Sequence, residues 1–173
     1  VMKGTIDEVI RILKDPTLKE PRKKEERRVL LDKAIIVRFD FAEMAKRSLA
    51  VHWAERTPDE QKEFAGLFGR LLESSYIGKI EAYTDEKVVY IGEIRDGDFA
   101  EVKTKVLIRQ DEIPIDYRLL QKGSDWKVYD VVIDGVSLVN NYRNQFNKVI
   151  RNSSYEELVK KMKVKEAEIS VAP

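Results

Sequence analysis

Lys87-Val88-Val89-Tyr90-Ile91-Gly92-Glu93-Ile94-Arg95-Asp96-Gly97-Asp98-Phe99-Ala100-Glu101-Val102 is the stretch on which the fold turns. Upstream of it apolar residues recur at helical spacing; from Lys87 they recur with a period of two. Asp96-Gly97 marks a two-residue hairpin turn, because Gly tolerates the positive φ such turns need. Closing strands about it pairs Ile91 with Val102 and Val89 with Thr104. A second turn near Asp111-Glu112 pairs Ile108 with Ile115 and Val106 with Tyr117. A third at Gly123-Ser124 pairs Leu119 with Val128 and Tyr117 with Asp130. The result is a four-stranded antiparallel meander. One face carries Val89, Ile91, Val102, Val106, Ile108, Ile115, Tyr117, Leu119, Trp126, Val128 and Val132. The other mixes Tyr90, Ile94, Leu107, Leu120, Tyr129, Val131 and Ile133 with Lys103, Lys105, Arg118 and Lys127. A sheet apolar on both sides needs cover on both, or a strong curl.

Helices flank the meander. Ile6, Val9, Ile10 and Leu13 define the first, and Asp15-Pro16 stops it. After the charged run Lys19 to Arg28, Val29, Leu30, Ala34, Ile35 and Phe39 resume the helical period. Asp40 with Glu43 has the capping-box spacing, as does Thr57 with Glu60, where Pro58 also sits at the first helical position. The helix after Pro58 shows a broad stripe of Phe64, Leu67, Phe68, Leu71, Leu72, Tyr76 and Ile80. After Gly135, Leu138, Val139, Tyr142, Phe146, Val149 and Ile150 return to helix, and Ser153 with Glu156 opens the last one. There is no internal repeat or linker. The reading is a single domain over residues 1–173, with a tail that frays from about 164 and helices packed on a curved sheet: the α+β class.

Composition removes several chemistries. With 173 residues, Lys plus Arg at 32 and Asp plus Glu at 31, the net charge is +1, too even for a general polyanion binder; no nucleic-acid partner is expected. The absence of Cys excludes disulfides, thiolate metal sites and a cysteine nucleophile, and a single His, His52, leaves no His cluster for zinc. The eight Gly form no G-x-G-x-x-G array, and Asp96-Gly97-Asp98 lacks the remaining ligands of a calcium loop. No metal or cofactor is expected. No apolar run reaches the roughly 18 residues of a membrane span.

Two readings of the sheet remain open on the residues alone. Tyr117 facing Asp130 on a curved sheet resembles the acid–base pair of cone-shaped, ketosteroid-isomerase-like enzymes, if burial raises the carboxyl pKa; the plainer role is a structural hydrogen bond. Separately, the apolar surplus either closes as an ordinary core or stays open as a cleft for acyl chains. Each methylene entering such a cleft gains ~0.8 kcal/mol.

One block adds to this. The order Trp126, Asp130-Val131, Asp134-Gly135-Val136-Ser137, Asn141-Tyr142-Arg143 and Gln145-Phe146 resembles the signature of the MlaC family, also called toluene-tolerance or Ttg2-type proteins. Upstream, Phe39-Asp40-Phe41, Met44-Ala45, Trp53, Thr57 to Gln61, Phe64, Leu71-Leu72, Tyr76 and Tyr83 are similar to its helical half, so the likeness covers roughly residues 5 to 163. The resemblance implies a cone-shaped (NTF2-like) α+β fold with an apolar cavity, and a monomeric, non-catalytic periplasmic carrier of glycerophospholipid whose signal peptide has been cleaved. Its implied partners are an outer-membrane lipoprotein complex and an inner-membrane ABC transporter with an MCE-domain subunit. As a set, Phe68, Leu72, Tyr76, Val102, Val106, Ile108, Tyr117, Leu119, Trp126 and Val128 would meet lipid. Gly135 would turn strand into helix, Ser137 would cap that helix, Trp126 would wall the cone, and Asn141 and Arg143 would tie the helix to the sheet. Lys103, Lys105, Arg118 and Lys127 are candidates for phosphate heads or acidic partners, or for plain solvation.

Overall fold

In the computed structural model the backbone is described for residues 1–81 and 86–171, and side chains for 1–75 and 86–165. The chain forms two compact units. The first comprises Val1–Asp40 and Lys79–Gly135, the second Phe41–Gly78 and Val136–Pro173.

The period-two stretch forms an antiparallel meander of β1 (Lys87–Asp96), β2 (Phe99–Ile108), β3 (Asp111–Lys122) and β4 (Asp125–Ile133). A two-residue β5 (Val136–Ser137) makes the sheet five-stranded, in the order β1-β2-β3-β4-β5, one strand more than expected. Three two-residue loops connect the long strands. Gly97 and Gly123 open two of them with φ of 60° and 62°, and Arg109 takes the same left-handed conformation in the other, at 54°. The first loop is therefore Gly97-Asp98, and the second is Arg109-Gln110 rather than Asp111-Glu112.

The registers differ from the expected ones in two ways. Between β2 and β3 the slip is an even number of residues: Val102 faces Tyr117 and Val106 faces Ile113, so the facing sets survive. Bulges do more. The β1–β2 ladder shifts between Tyr90 and Gly92, so Val88 lies opposite Val106 and Tyr90 opposite Thr104. Because side chains alternate, one extra residue moves Val89 and Ile91 off the face expected for them, and they stand 41% and 55% exposed. In β4 the expected pair Leu119–Val128 holds, but a second shift after Arg118 places Tyr117 opposite Val131 and Arg118 opposite Asp130. Tyr117 and Asp130 are thus on opposite faces, and the acid–base pair dissolves.

The first unit buries one face of this sheet. Helix α1 (Met2–Lys14) presents Met2 and Ile6 to Leu119, Val128 and Val131, with Ile10, Phe39, Val88, Tyr90, Val102, Ile115, Tyr117 and Trp126 packed around them. Asp15 ends α1, accepting from the amide and hydroxyl of Thr17 at 3.0 and 2.7 Å. Helix α2 (Lys24–Ile36) follows a short 3-10 turn and buries Leu31 and Ile35. The chain then runs along β4: Val128 donates to the Arg38 carbonyl at 2.7 Å and accepts from the Asp40 amide at 2.9 Å.

In the second unit, helices α3 (Phe41–Leu49), α4 (Pro58–Glu81), α5 (Leu138–Asn152) and α6 (Tyr155–Val171) surround an aromatic core. Phe64 and Phe146 meet edge to face at 5.6 Å, Phe68 and Phe146 at 5.8 Å, and Phe68 and Tyr142 at 5.4 Å. The expected caps are present at two helices. Thr57 and Glu60 exchange hydrogen bonds at 3.0 and 3.2 Å, and Ser137 accepts from the Asn140 amide at 3.1 Å. At α6 the cap is Ser154, accepting from Glu157, one residue later than expected. Most of the tail expected to fray lies outside the described side chains.

Candidate functional site

Seven of the ten candidate wall residues come together on the α1-facing side of the sheet: Val102, Val106, Ile108, Tyr117, Leu119, Trp126 and Val128. Leu119 and Val128 are buried at the centre of this face, whereas Val102, Val106, Ile108, Tyr117 and Trp126 are half-buried. Phe68 and Leu72 are buried in the second unit, Phe68 within its aromatic core. The side chain of Tyr76 lies outside the described residues. Sequence reasoning missed Met2, Ile6 and Ile10, although their helical spacing was visible. It also missed Val88, Tyr90 and Val131, which the bulges bring to this face.

Polar groups on or beside the face are mostly satisfied within the protein. The Thr104 hydroxyl, 1% exposed, donates to the Ile115 carbonyl at 2.7 Å. The Tyr90 hydroxyl donates to an Asp7 carboxylate oxygen at 3.2 Å, and the Lys3 ammonium lies 5.4 Å from its ring centre. Burial, and then the Asp7 charge, push the Tyr90 phenol well above its usual range. Tyr117 is pushed up to about 12 by burial alone. At the edge beside β4, the Arg38 guanidinium donates to Asp125 at 2.8 Å, to the Trp126 carbonyl and to the Thr5 hydroxyl at 3.1 Å. Arg38's hydrogen bond, followed by the Trp126 amide, holds the Asp125 carboxyl below its usual range. Arg95 stacks on Trp126 at 5.2 Å.

The opposite face carries the cations considered for phosphate. Each already meets a carboxylate: Lys103 with Glu101 at 3.4 Å, Lys105 with Glu112 at 3.2 Å, Arg118 with Asp130 at 3.4 Å and Lys127 with Asp125 at 3.6 Å. Asp130, 4% exposed, serves as Arg118's partner and accepts from the Val131 amide at 2.8 Å. His52 bonds Asn147 at 2.8 Å, a structural link between helical segments. Arg143 ties α5 to the Arg47 carbonyl of α3 at 2.9 Å, a helix–helix contact in place of the expected helix–sheet one. Among the described residues no group of acidic or His side chains could hold a metal, and no helix is long and apolar enough to cross a membrane.

This arrangement, helix α1 against one apolar face of an antiparallel meander, matches a known class of fold. The structure aligns with the solved phospholipid-binding protein from Ralstonia solanacearum, determined in complex with a phospholipid. The TM-score is 0.83 and the identity 27%, over 98% of this chain and 96% of that one. The MlaC protein family model matches residues 3–164, and the chain belongs to the MlaC family. Similar curated proteins are the intermembrane phospholipid transport system binding protein MlaC of Haemophilus influenzae, 23% identical over 73% of this chain, and the toluene tolerance protein ttg2D of Pseudomonas putida, 27% identical over 60%. The chain spans 61% and 49% of the lengths of these two relatives.

Proposed function

We propose that this protein is a non-catalytic phospholipid carrier that takes acyl chains against the α1-facing side of its sheet. Family membership supports the reading, and the observation that carries it is the phospholipid held by the Ralstonia solanacearum protein, whose fold this chain matches over nearly its whole length. The chemistry of the face agrees. Val102, Val106, Ile108 and Trp126 offer apolar surface that is only half-buried, which is what a wall for hydrocarbon requires and a closed core does not. Each methylene moved from water onto such a wall gains ~0.8 kcal/mol, so binding needs no reactive group. In this reading residues 1–173 act as one lipid-binding domain, monomeric and periplasmic, passing glycerophospholipid between an outer-membrane lipoprotein complex and an inner-membrane ABC transporter with an MCE-domain subunit. A metal or organic cofactor has no part in it.

Native mass spectrometry of the purified protein, followed by lipid extraction and mass analysis, tests the proposal. Co-purifying glycerophospholipid in a fixed stoichiometry is expected. Protein that stays ligand-free after gentle purification and takes up no phospholipid from vesicles would refute it.

A further inference from the structure

Arg95 differs from the cations of the opposite face in both side and partner. Lys103, Lys105, Arg118 and Lys127 each meet a carboxylate. Arg95 stands opposite Ala100, Ala100 opposite Leu119 and Leu119 opposite Val128, so it shares the α1-facing side with the proposed lipid wall. Among the described residues it forms no ion pair, not even with Glu93, two positions away on the same side. Its guanidinium instead lies over the Trp126 indole, 5.2 Å from the ring centre. Strands β1 and β4 are three strand spacings apart, about 14 Å, so both side chains must lie along the face to meet. Ala100, directly across from Arg95, is small enough to leave them room.

Polarity falls along this face. The end beside the loops Gly97-Asp98 and Gly123-Ser124 carries Arg95, Gln121 and Trp126. Val106 and Ile113 lie six residues of β2 further on from Ala100, about 20 Å, and the charge beyond them, Asp111, has the wrong sign for a phosphate. Lys3, a second cation held against a ring of this face, shares Tyr90 with the Asp7 carboxylate.

We propose that the Arg95 guanidinium, laid on Trp126, binds the phosphodiester of the bound lipid. The inference rests on the phospholipid reading and adds to it the residue that selects for phosphate. The guest is then oriented, with its phosphate at the Arg95 end of the sheet and its acyl chains running along Val102 and Val106. A guanidinium presents a planar fork of donors that matches two phosphate oxygens, and stacking on an indole leaves the edge of that fork open. Stacking also orders the long side chain in advance, so less freedom is lost on binding. Glu93 is the neighbouring charge that opposes the contact.

The test is Arg95→Gln, which removes the charge and the fork. Wild type and variant are titrated with dioleoyl phosphatidylglycerol and with dioleoylglycerol, which has the same chains and no phosphate, each by displacement of a fluorescent fatty acid. Wild type is expected to bind the phospholipid about tenfold more tightly, the low end for a charge-assisted hydrogen bond because Arg95 is exposed. The Arg95→Gln variant should bind the two alike, at the wild-type dioleoylglycerol affinity, and Arg95→Lys should recover part of the preference. Glu93→Gln should tighten phosphatidylglycerol and leave dioleoylglycerol unchanged. Delipidated variants should keep the wild-type urea midpoint. A preference unchanged by Arg95→Gln overturns the proposal while leaving the carrier intact. So does an equal loss for both lipids, which would make Arg95 only a support for Trp126, and so does a preference abolished by Lys3→Gln instead. Displacement of the probe by inorganic phosphate alone would assign the site to a free anion and also refute it. Binding of neither lipid by wild type overturns the carrier reading and this inference together.

Discussion

Val106→Trp separates a lipid wall from a core. Val106 lies in β2 opposite Ile113 and Val88, half-buried, on the same side of the sheet as fully buried Val128. Overfilling a closed core costs about 1–3 kcal/mol. Val106 is only half-buried, so the lipid-free protein should lose less than about 1 kcal/mol. Val128→Trp, at a position with 0% exposure, should incur the full penalty. For the guest the order reverses. An indole at position 106 that displaces about three methylenes of an acyl chain removes ~2.4 kcal/mol of transfer energy, a roughly 60-fold loss of affinity. Urea unfolding must be measured on delipidated protein, since bound lipid stabilises by mass action and would hide the difference. Lipid affinity is read by displacement of a fluorescent fatty-acid probe. If Val106→Trp destabilises the delipidated protein as much as Val128→Trp while affinity falls less than about fivefold, the face is packing and the reasoning fails.

Three further outcomes are expected. Arg38→Met should cost about 3 kcal/mol in urea unfolding, because the guanidinium serves Asp125, the Trp126 carbonyl and Thr5 at once from a side chain only 12% exposed, and Arg38→Lys should restore less than half of that. Gly135→Ala should cost about 1–2 kcal/mol by thermal unfolding through backbone strain alone, since Gly135 has a φ of 82° and a Cβ there would meet nothing within 4 Å. With the Tyr117 phenol raised to about 12 in the folded state against about 10 unfolded, the unfolded chain loses this proton first. Stability from this group is therefore complete below pH ~10 and declines as pH rises from ~10 to ~12, and Tyr117→Phe should flatten that decline in urea unfolding across this range.

Much of the fold was legible because its signals are local. The period-two run, the loops opened by Gly97 and Gly123, the Thr57–Glu60 box and the Ser137 cap depend on residues within a few positions of one another. Gly92 is a recognised mark of a bulge, and the first register shift falls there. The second, after Arg118, carries no such mark. Asp130 and Val131 differ from their expected faces because of one additional residue in β4, and the choice between the Asp130–Tyr117 and Asp130–Arg118 pairs followed from it. The cations of the opposite face looked available for phosphate until cross-strand register placed carboxylates beside them.

By itself the amino-acid order determined the α+β class, the meander and its flanking helices, and, through the Trp126-to-Phe146 block, the family. Those are consequences of hydrophobic period, capping chemistry and motif order, all written along the chain. Tertiary structure alone decided which face each β1 and β4 side chain occupies, that Met2 and Ile6 of α1 cover the sheet, and that Asp130 pairs with Arg118. Side-chain alternation makes these outcomes sensitive to a single bulged residue. Whether a polar group is satisfied depends on neighbours distant in the chain, which no local pattern specifies.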